Sequence, residues 1–198
     1  MTPISSMTAT QALDALLEGN ERYVDTHPVH PHVSAGYRRG LIGGQHPFAA
    51  ILGCADSRVP PELLFDQGFG DLFVIRVAGN VVDNFTLASI EYAVVVLGVP
   101  LVMVLAHSGC GAVSATVSGA ALPGHMGQLA AHIRPAVEAA CHREGDCLDN
   151  AIRENARLAV AHLINTSEPI RQAVEAENVQ VVAAYYDLDT GRVSLLED

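Results

Sequence analysis

The chain has 198 residues, of which 49% are hydrophobic and 17% are charged, so it is long enough for one domain with a substantial buried core. This composition excludes a disordered chain, and the formal net charge of −11 argues against binding to nucleic acid or to anionic membrane surfaces. A monomer normally covers itself with more charge, so we expect a homo-oligomer, either a dimer or a tetramer.

The chain also lacks the usual signals for membranes and secretion. No apolar run approaches the roughly 20 residues of a membrane-spanning helix. The first residues have neither the basic start nor the apolar core of a secretory signal, so we expect a cytoplasmic protein with no membrane partner. In that reducing setting, we expect the four cysteines to be thiols or metal ligands rather than disulfides.

The N-terminal part predicts a helix followed by a linker. Residues 8–24 have an amphipathic pattern, and Thr8 or Thr10 can cap the start of the helix. The next segment contains the histidines His27, His30 and His32 among prolines. These histidines either chelate a metal or belong to a solvent-exposed linker that continues to Gln45. We therefore predict a single domain over 1–198, in which 1–44 form a helical arm and linker.

The rest of the chain alternates between predicted strands and predicted helices. Strands are expected at 48–53, 71–76, 101–106 and 179–186, and a closing strand at 192–196 forms a hairpin with the last of these. Helices are expected at 59–65, 83–97 and 110–117, and between 125 and 177 with breaks at Pro135, Gly145 and Pro169. The predicted fold is α/β, with a mainly parallel central sheet flanked by helices and a C-terminal antiparallel edge strand.

Metal-ligating side chains follow two of these strands. Cys54 comes directly after strand 48–53, and His107 and Cys110 come directly after strand 101–106. Ligands in open α/β sheets collect at the carboxyl ends of the strands, where these residues can meet. Two cysteines and one histidine suit a catalytic zinc ion, which keeps three protein ligands and one open position. A structural zinc ion, or a pair of buried thiols, is the alternative.

Asp56 and Arg58 are candidates for a supporting role beside this metal. They alternate with Cys54, so in extended backbone all three side chains face one side. Arg58 can hold Asp56 in a bidentate ion pair as a hydrogen-bond acceptor for water on the metal. If that pair opens, Asp56 can become the fourth ligand and close the site.

These motifs resemble the β-class carbonic anhydrases. The resemblance is carried by Cys54-Ala-Asp-Ser-Arg-Val59 and His107-Ser-Gly-Cys-Gly111, and it extends from Gly19-Asn-Glu-Arg-Tyr23 to the C-terminal Tyr186–Val193. It implies reversible hydration of CO2 to bicarbonate and a proton, by attack of zinc-bound hydroxide on CO2 in a narrow apolar pocket. It also implies one Zn²⁺ per subunit and a homodimer or homotetramer, in which the N-terminal helix embraces the partner subunit.

The resemblance also implies a role for each matching residue. It assigns Cys54, His107 and Cys110 as zinc ligands and Asp56 and Arg58 as catalytic residues. The substrate-binding positions that it implies are Gln45, Phe73, Ala78, Tyr92 and Gly111. Ala78 replaces a larger valine that is usual in the family.

One family feature is missing from this chain. Some bacterial members have an inhibitory bicarbonate site built around a tryptophan, and this chain has Ile51 at that position, although Arg76 matches the arginine of the site. We therefore expect weak or absent bicarbonate inhibition through that pocket.

Two other functions remain compatible with the same zinc motif. One is hydrolysis of a CO2 analogue such as carbonyl sulfide or carbon disulfide. The other is a non-catalytic zinc protein or bicarbonate sensor whose metal site stays closed by Asp56. Cys141 and Cys147 are expected to be ordinary thiols, with a second metal site as the alternative.

Overall fold

The computed structural model describes residues 7–197 as an α/β domain. The strands are β1 (Ala49–Gly53), β2 (Leu72–Arg76), β3 (Leu101–His107), β4 (Gln180–Tyr186) and β5 (Val193–Leu195). The helices are α1 (Ala9–Val24), α2 (Ala35–Gly40), α3 (Pro61–Leu64), α4 (Asn84–Glu91), α5 (Gly111–Val117), α6 (Met126–Ala140), α7 (Cys147–Thr166) and α8 (Glu168–Glu175). Between residues 7 and 197, no helix combines the length and hydrophobicity that a membrane span needs.

The sheet confirms the predicted fold class. Its strand order is β2-β1-β3-β4-β5, with four parallel strands and with β5 antiparallel to β4. In this register, Gly53 at the end of β1 pairs with Leu105 of β3 on one side and with Arg76 of β2 on the other. The segments that follow β1 and β3 therefore leave the sheet at the same edge.

The two faces of the sheet bury two separate apolar clusters. Along β1, Ala50 and Leu52 face one cluster, while Ala49 and Ile51 face the other. This alternation follows from the two-residue period of a strand. Cys54 and Cys110 belong to the cluster that α6 and α7 cover, whereas α1 and α3 cover the opposite face. The metal-binding motif thus starts from a strand that is buried on both faces.

Helix α1 packs against its own chain. Thr8, one of the two caps that the sequence predicts, begins the helix in a capping box with Gln11, and Leu16 is fully buried in the cluster beneath it. Gly19 approaches α3 so closely that a Cβ there would lie 1.8 Å from the carbonyl oxygen of Phe65. Asn20 donates to the carbonyl oxygens of Leu64 and Gly191, and its own oxygen accepts from the N–H of Val193. These contacts fix the C-terminal half of α1 to α3 and to the turn before β5 of its own chain.

The helical region between 125 and 177 differs from the prediction at one point. Pro135 lies inside α6 and does not break it. Proline removes one backbone hydrogen bond, but α6 buries Ala130, Ile133, Ala136 and Ala140 on one face, and this packing outweighs that cost. Gly145 and Pro169 do mark helix boundaries, since Gly145 lies in the α6–α7 loop and Pro169 lies in the first turn of α8.

Two local elements were not predicted. The linker contains the short helix α2, capped by Ser34 and followed by a 3₁₀ turn over Leu41–Gly43. The predicted helix over 83–97 is α-helical only over Asn84–Glu91 and continues as a π-helical turn over Tyr92–Val96. Gly98, with φ of 68°, then ends it as predicted.

The expectation that all four cysteines are thiols or metal ligands is wrong for two of them. Cys141 and Cys147 form a disulfide, whereas Cys54 and Cys110 are free and buried. Cys141 caps the end of α6 and Cys147 begins α7, so the loop brings their Cα atoms to 4.4 Å. Sequence spacing alone does not show that two helix ends meet.

The histidine-rich linker is attached to the domain through two buried carboxylates. Asp66 accepts from Arg22 Nε at 2.7 Å and from the backbone N–H groups of Val29 and His30 at 3.0 and 2.9 Å. His32 Nδ1 hydrogen-bonds the carboxylate of Asp71 at 2.8 Å. These histidines do not form a metal-binding cluster among residues 7–197, where Cys54, His107 and Cys110 are the one such group.

Replacing Asp66 with alanine is expected to lower the free energy of unfolding by about 2–3 kcal/mol, since it leaves two backbone N–H groups and Arg22 without an acceptor. Burial raises the pKa of Asp66, but the hydrogen bonds from Arg22, Val29 and His30 outweigh it and hold the pKa below its usual range. A lowered pKa in the folded state means that the stabilisation is complete above the unfolded value of about 3.9 and disappears as the pH falls through the folded value.

Urea unfolding of Asp66→Ala between pH 3 and pH 8 measures this effect. Asp14→Ala, which removes an exposed carboxylate from α1, is the matched control and should cost less than about 0.5 kcal/mol. Equal losses in the two variants at pH 7 would contradict the assignment.

Candidate metal centre

Three potential ligands meet where β1 and β3 leave the sheet. Cys54 follows the last residue of β1, His107 is the last residue of β3, and Cys110 immediately precedes α5. Their ligand atoms all lie within 4.8 Å of one another, and the two sulfur atoms are 3.9 Å apart. Two sulfurs at about 2.3 Å from a tetrahedral zinc ion are about 3.8 Å apart, so this spacing fits the metal.

The imidazole of His107 is prepared to be a ligand. Its Nδ1 lies 3.0 Å from the carbonyl oxygen of Ser108, which can only accept, so Nδ1 carries the proton. Nε2 then presents a lone pair, and it is buried without a hydrogen-bond partner. A buried unpaired nitrogen is costly. A metal ion held jointly with the two sulfurs would satisfy it, and the Ser108 carbonyl is the kind of second partner that metal-ligating histidines use.

The hydrogen bond between the two cysteine side chains shifts their pKa values in opposite directions. Hydrogen bonding from Cys110 lowers the pKa of Cys54 to about 4 against the effect of burial, and the backbone N–H groups of Gly79 and Asp56 contribute. The bond to Cys54 and burial raise the pKa of Cys110, opposed by the N–H groups at the start of α5. A cation that binds both sulfurs would favour the thiolate form of both cysteines and release their protons.

The ion pair that the sequence predicts beside these ligands is present. Arg58 Nε donates to Asp56 Oδ1 at 2.9 Å, Nη2 donates to Oδ2 at 2.7 Å, and the backbone N–H of Arg58 also donates to Oδ1. The first cause of the strongly lowered pKa of Asp56 is this side-chain bond from Arg58. Asp56 Oδ2 is 3.9 Å from His107 Nε2, so the carboxylate faces the ligand group without being part of it.

Arg76 has a structural role that the sequence analysis did not predict. It is the last residue of β2, and its guanidinium donates to the carbonyl oxygens of Cys54 and Asp56. It therefore holds the backbone of the Cys54–Asp56 loop. The N–H of Gly79 also contacts this loop, since it lies 3.3 Å from Cys54 Sγ.

The residues proposed for substrate binding are less tightly assembled. The rings of Phe73 and Tyr92 lie against each other with centroids 6.1 Å apart, but Tyr92 is 47% exposed. Ala78 is half-buried in the turn after β2, and Gly111 is exposed at the start of α5. Gln45 is exposed, and its side chain makes no hydrogen bond within the described chain. One subunit alone does not enclose these five residues in a pocket.

Sequence reasoning missed Gly79 as a partner of the site. The available signal was the Gly79-Asn80 pair directly after a strand, because both residue types tolerate positive φ. Both adopt it here, with φ of 73° and 43°. The pattern can indicate the turn, but it cannot show that the turn directs an N–H group at Cys54.

Comparison with known proteins identifies a family whose chemistry fits this centre. The family model described as "Carbonic anhydrase" matches residues 49–193. Carbonic anhydrase 2 of Mycobacterium tuberculosis is 43% identical over 189 residues, which cover 93% of this chain and 91% of that protein.

Solved structures show the same fold. A Coccomyxa β-carbonic anhydrase in complex with acetazolamide has a TM-score of 0.73 and 28% identity, covering 93% of this chain and 86% of that chain. One of two tetrameric β-carbonic anhydrases from Sordaria macrospora has a TM-score of 0.75 at 24% identity, covering 94% of this chain and 97% of that chain. The matches span nearly the whole chain rather than the metal motif alone.

Proposed function

Because the chain belongs to the β-class carbonic anhydrases and shares their activity, we propose that Cys54, His107 and Cys110 hold one catalytic zinc ion per subunit. We further propose that Asp56 and Arg58 act beside it in the reversible hydration of CO2 to bicarbonate and a proton. The observation that carries this proposal is the buried group of two sulfurs and one unpaired imidazole nitrogen, whose spacing fits a tetrahedral metal site.

The three ligands fix both the charge and the geometry of the centre. When bound, zinc supplies a Lewis acid that lets water lose a proton near neutral pH. Two thiolates and a neutral imidazole balance its double positive charge, so the surrounding hydrogen bonds decide how strongly it acts. Backbone N–H groups that donate to the sulfurs reduce the charge that the thiolates present.

The proposed role of Asp56 is to orient water beside the three ligands. Its Oδ1 is occupied by two donors from Arg58, whereas Oδ2 accepts one bond and faces His107. The remaining lone pair of Oδ2 can accept a hydrogen bond from a water molecule and turn the lone pair of the water oxygen toward CO2. Arg58 keeps the carboxylate in this orientation and prevents it from rotating onto the ligand group.

The Asp56–Arg58 ion pair also favours an open metal centre, in which Asp56 is not a ligand, over a closed one, in which it is. For Asp56 to become a fourth ligand, Oδ2 must leave the guanidinium of Arg58, and the three hydrogen bonds between the two residues oppose that movement. The open arrangement therefore favours catalysis over a purely structural or sensing role, which needs neither side chain.

We propose that the substrate is bound by Gln45, Phe73, Ala78, Tyr92 and Gly111. CO2 is small and apolar, so aromatic and aliphatic walls suit it, and the amide of Gln45 and the N–H of Gly111 suit the more polar bicarbonate. Because Tyr92 and Gln45 are exposed in one subunit, a second subunit is needed to complete the walls.

We propose a homodimer or homotetramer for this reason. Apolar side chains are exposed along one segment near Tyr92, namely Phe85 at 84%, Val95 at 62% and Val96 at 59%. A second copy that covers this segment would bury it and enclose the Phe73–Tyr92 pair. The Sordaria relatives, described as tetrameric, have the same fold.

Metal removal tests the zinc proposal. Chelator-treated protein is expected to lose CO2 hydration, and adding back zinc should restore it in proportion to the metal bound, with a plateau at one ion per chain. Stopped-flow hydration with a pH indicator and metal analysis of the same samples provide the two measurements. Activity that survives complete metal removal would contradict the proposal, as would a plateau at two ions per chain.

A further inference from the structure

A buried asparagine on α7 is connected to the metal centre through one glycine. Asn155 is 5% exposed, and its Nδ2 donates to the carbonyl oxygen of Gly79 at 2.8 Å. Gly79 in turn donates its N–H to Cys54 Sγ at 3.3 Å. Two hydrogen bonds in series thus join the middle of α7 to a ligand sulfur.

The turn that carries Gly79 needs support from its surroundings. Gly79 and Asn80 both have positive φ, at 73° and 43°. For a non-glycine residue such as Asn80, this conformation costs on the order of 1 kcal/mol and persists where neighbouring structure enforces it. A Cβ on Gly79 would lie 2.8 Å from Ile133 Cδ1 and 3.2 Å from Ala112 Cβ, so α5 and α6 close one side of the turn. Asn155 holds it from α7.

The direction of the Gly79 N–H matters because Cys54 Sγ, the atom that it contacts, is one of the three proposed metal ligands. A hydrogen bond to a ligand sulfur withdraws charge from it, and such surrounding bonds tune both the affinity for metal and its acidity. If the backbone at Gly79 changed its φ and ψ, the sulfur would lose this donor while Cys54 itself stayed in place. The backbone conformation of one residue therefore affects the centre without altering the ligand set.

We propose that Asn155 is a positioning residue of the metal centre, which fixes the backbone of Gly79 through its carbonyl group so that the N–H on the other side of the Gly79 Cα remains on Cys54 Sγ. The inference rests on the zinc centre of the proposed function. Asn155 touches neither substrate nor metal and acts through Gly79. It also lines a cleft of about 450 Å³ between α6 and α7, next to Val82, His132 and Leu158. Water from this cleft can replace a truncated side chain, so an apolar residue of similar size is the better substitution.

Cadmium-113 NMR tests the proposal directly. In protein loaded with one ¹¹³Cd²⁺ per chain, the amide proton of Gly79 should show scalar coupling to the metal through the N–H···S bond. The coupling should disappear in Asn155→Leu, and also in the smaller Asn155→Val if the leucine variant does not fold. The control is Asn150→Leu, which removes another α7 asparagine that donates to a backbone carbonyl, that of Glu144. This variant should keep the coupling.

Zinc affinity gives a second readout. Competition with a chelator should show a dissociation constant about 10–100-fold higher for Asn155→Leu and unchanged for Asn150→Leu. Wild-type protein that holds cadmium but shows no coupling at Gly79 would overturn the proposal, and so would a folded Asn155 variant with unchanged coupling and affinity. Wild-type protein that binds no cadmium through its cysteines would instead overturn the zinc centre itself.

Discussion

Replacing Cys54 with alanine is expected to abolish zinc binding and to lower kcat/KM for CO2 hydration by at least about 1,000-fold. The substitution leaves two protein ligands, whereas a catalytic zinc ion needs three. It also removes the sulfur to which Gly79 donates and leaves His107 Nε2 unpaired in the interior. Stopped-flow hydration and metal analysis of the purified variant are the measurements, after circular dichroism has shown that it folds.

The matched control removes sulfur atoms elsewhere in the same chain. Cys141→Ser combined with Cys147→Ser eliminates the disulfide between α6 and α7, which is not part of the ligand group. This double variant is expected to keep one zinc ion per chain and nearly full activity. A Cys54→Ala protein that retains zinc and turnover would contradict the assignment, as would loss of zinc in the control.

Replacing Asp56 with asparagine is expected to lower kcat/KM by about 100- to 10,000-fold while zinc content stays at one per chain. Asparagine preserves the shape of the side chain but replaces one acceptor oxygen with a donor and removes the charge that pairs with Arg58. It can no longer accept hydrogen bonds from both Arg58 and water in the same geometry. A loss of activity with unchanged zinc content distinguishes this role from that of a metal ligand.

Two further variants test whether the effect is specific to Asp56 and its ion pair with Arg58. Arg58→Lys keeps the positive charge but loses the bidentate contact, so its activity should fall between those of the wild type and Asp56→Asn. Asp146→Asn, at the N-cap of α7, changes a carboxylate outside the site, and full activity is expected. Asp56→Asn with more than about a third of wild-type activity would contradict the proposed role.

Much of the fold follows from local sequence patterns. The runs 48–53 and 101–106 are apolar at nearly every position, and this pattern predicts strands buried on both faces. Thr8 with Gln11 forms a capping box that marks the start of α1. The meeting of the three candidate ligands was predictable for the same reason, because Cys54, His107 and Cys110 lie at or just after the carboxyl ends of two neighbouring parallel strands.

The features that sequence reasoning missed depend on contacts between distant segments. Pro135 stays inside α6 because of packing that no local pattern describes. The Cys141–Cys147 disulfide requires that two helix ends meet, and the Asn155–Gly79 bond joins residues 76 positions apart. Gly19 and Asn20 of α1 contact Phe65 and Leu64, more than 40 positions away in the chain. Such tertiary contacts cannot be predicted from the spacing of residues or from hydrophobic periodicity.

The most direct test of the central claim is zinc K-edge X-ray absorption on the reconstituted protein. We predict two sulfur ligands at about 2.3 Å and one histidine nitrogen at about 2.0 Å, with one further light atom in the fourth position. The Cys54→Ala sample should lose this signal. A spectrum of wild-type protein with only nitrogen and oxygen ligands would contradict the assignment of zinc to Cys54, His107 and Cys110.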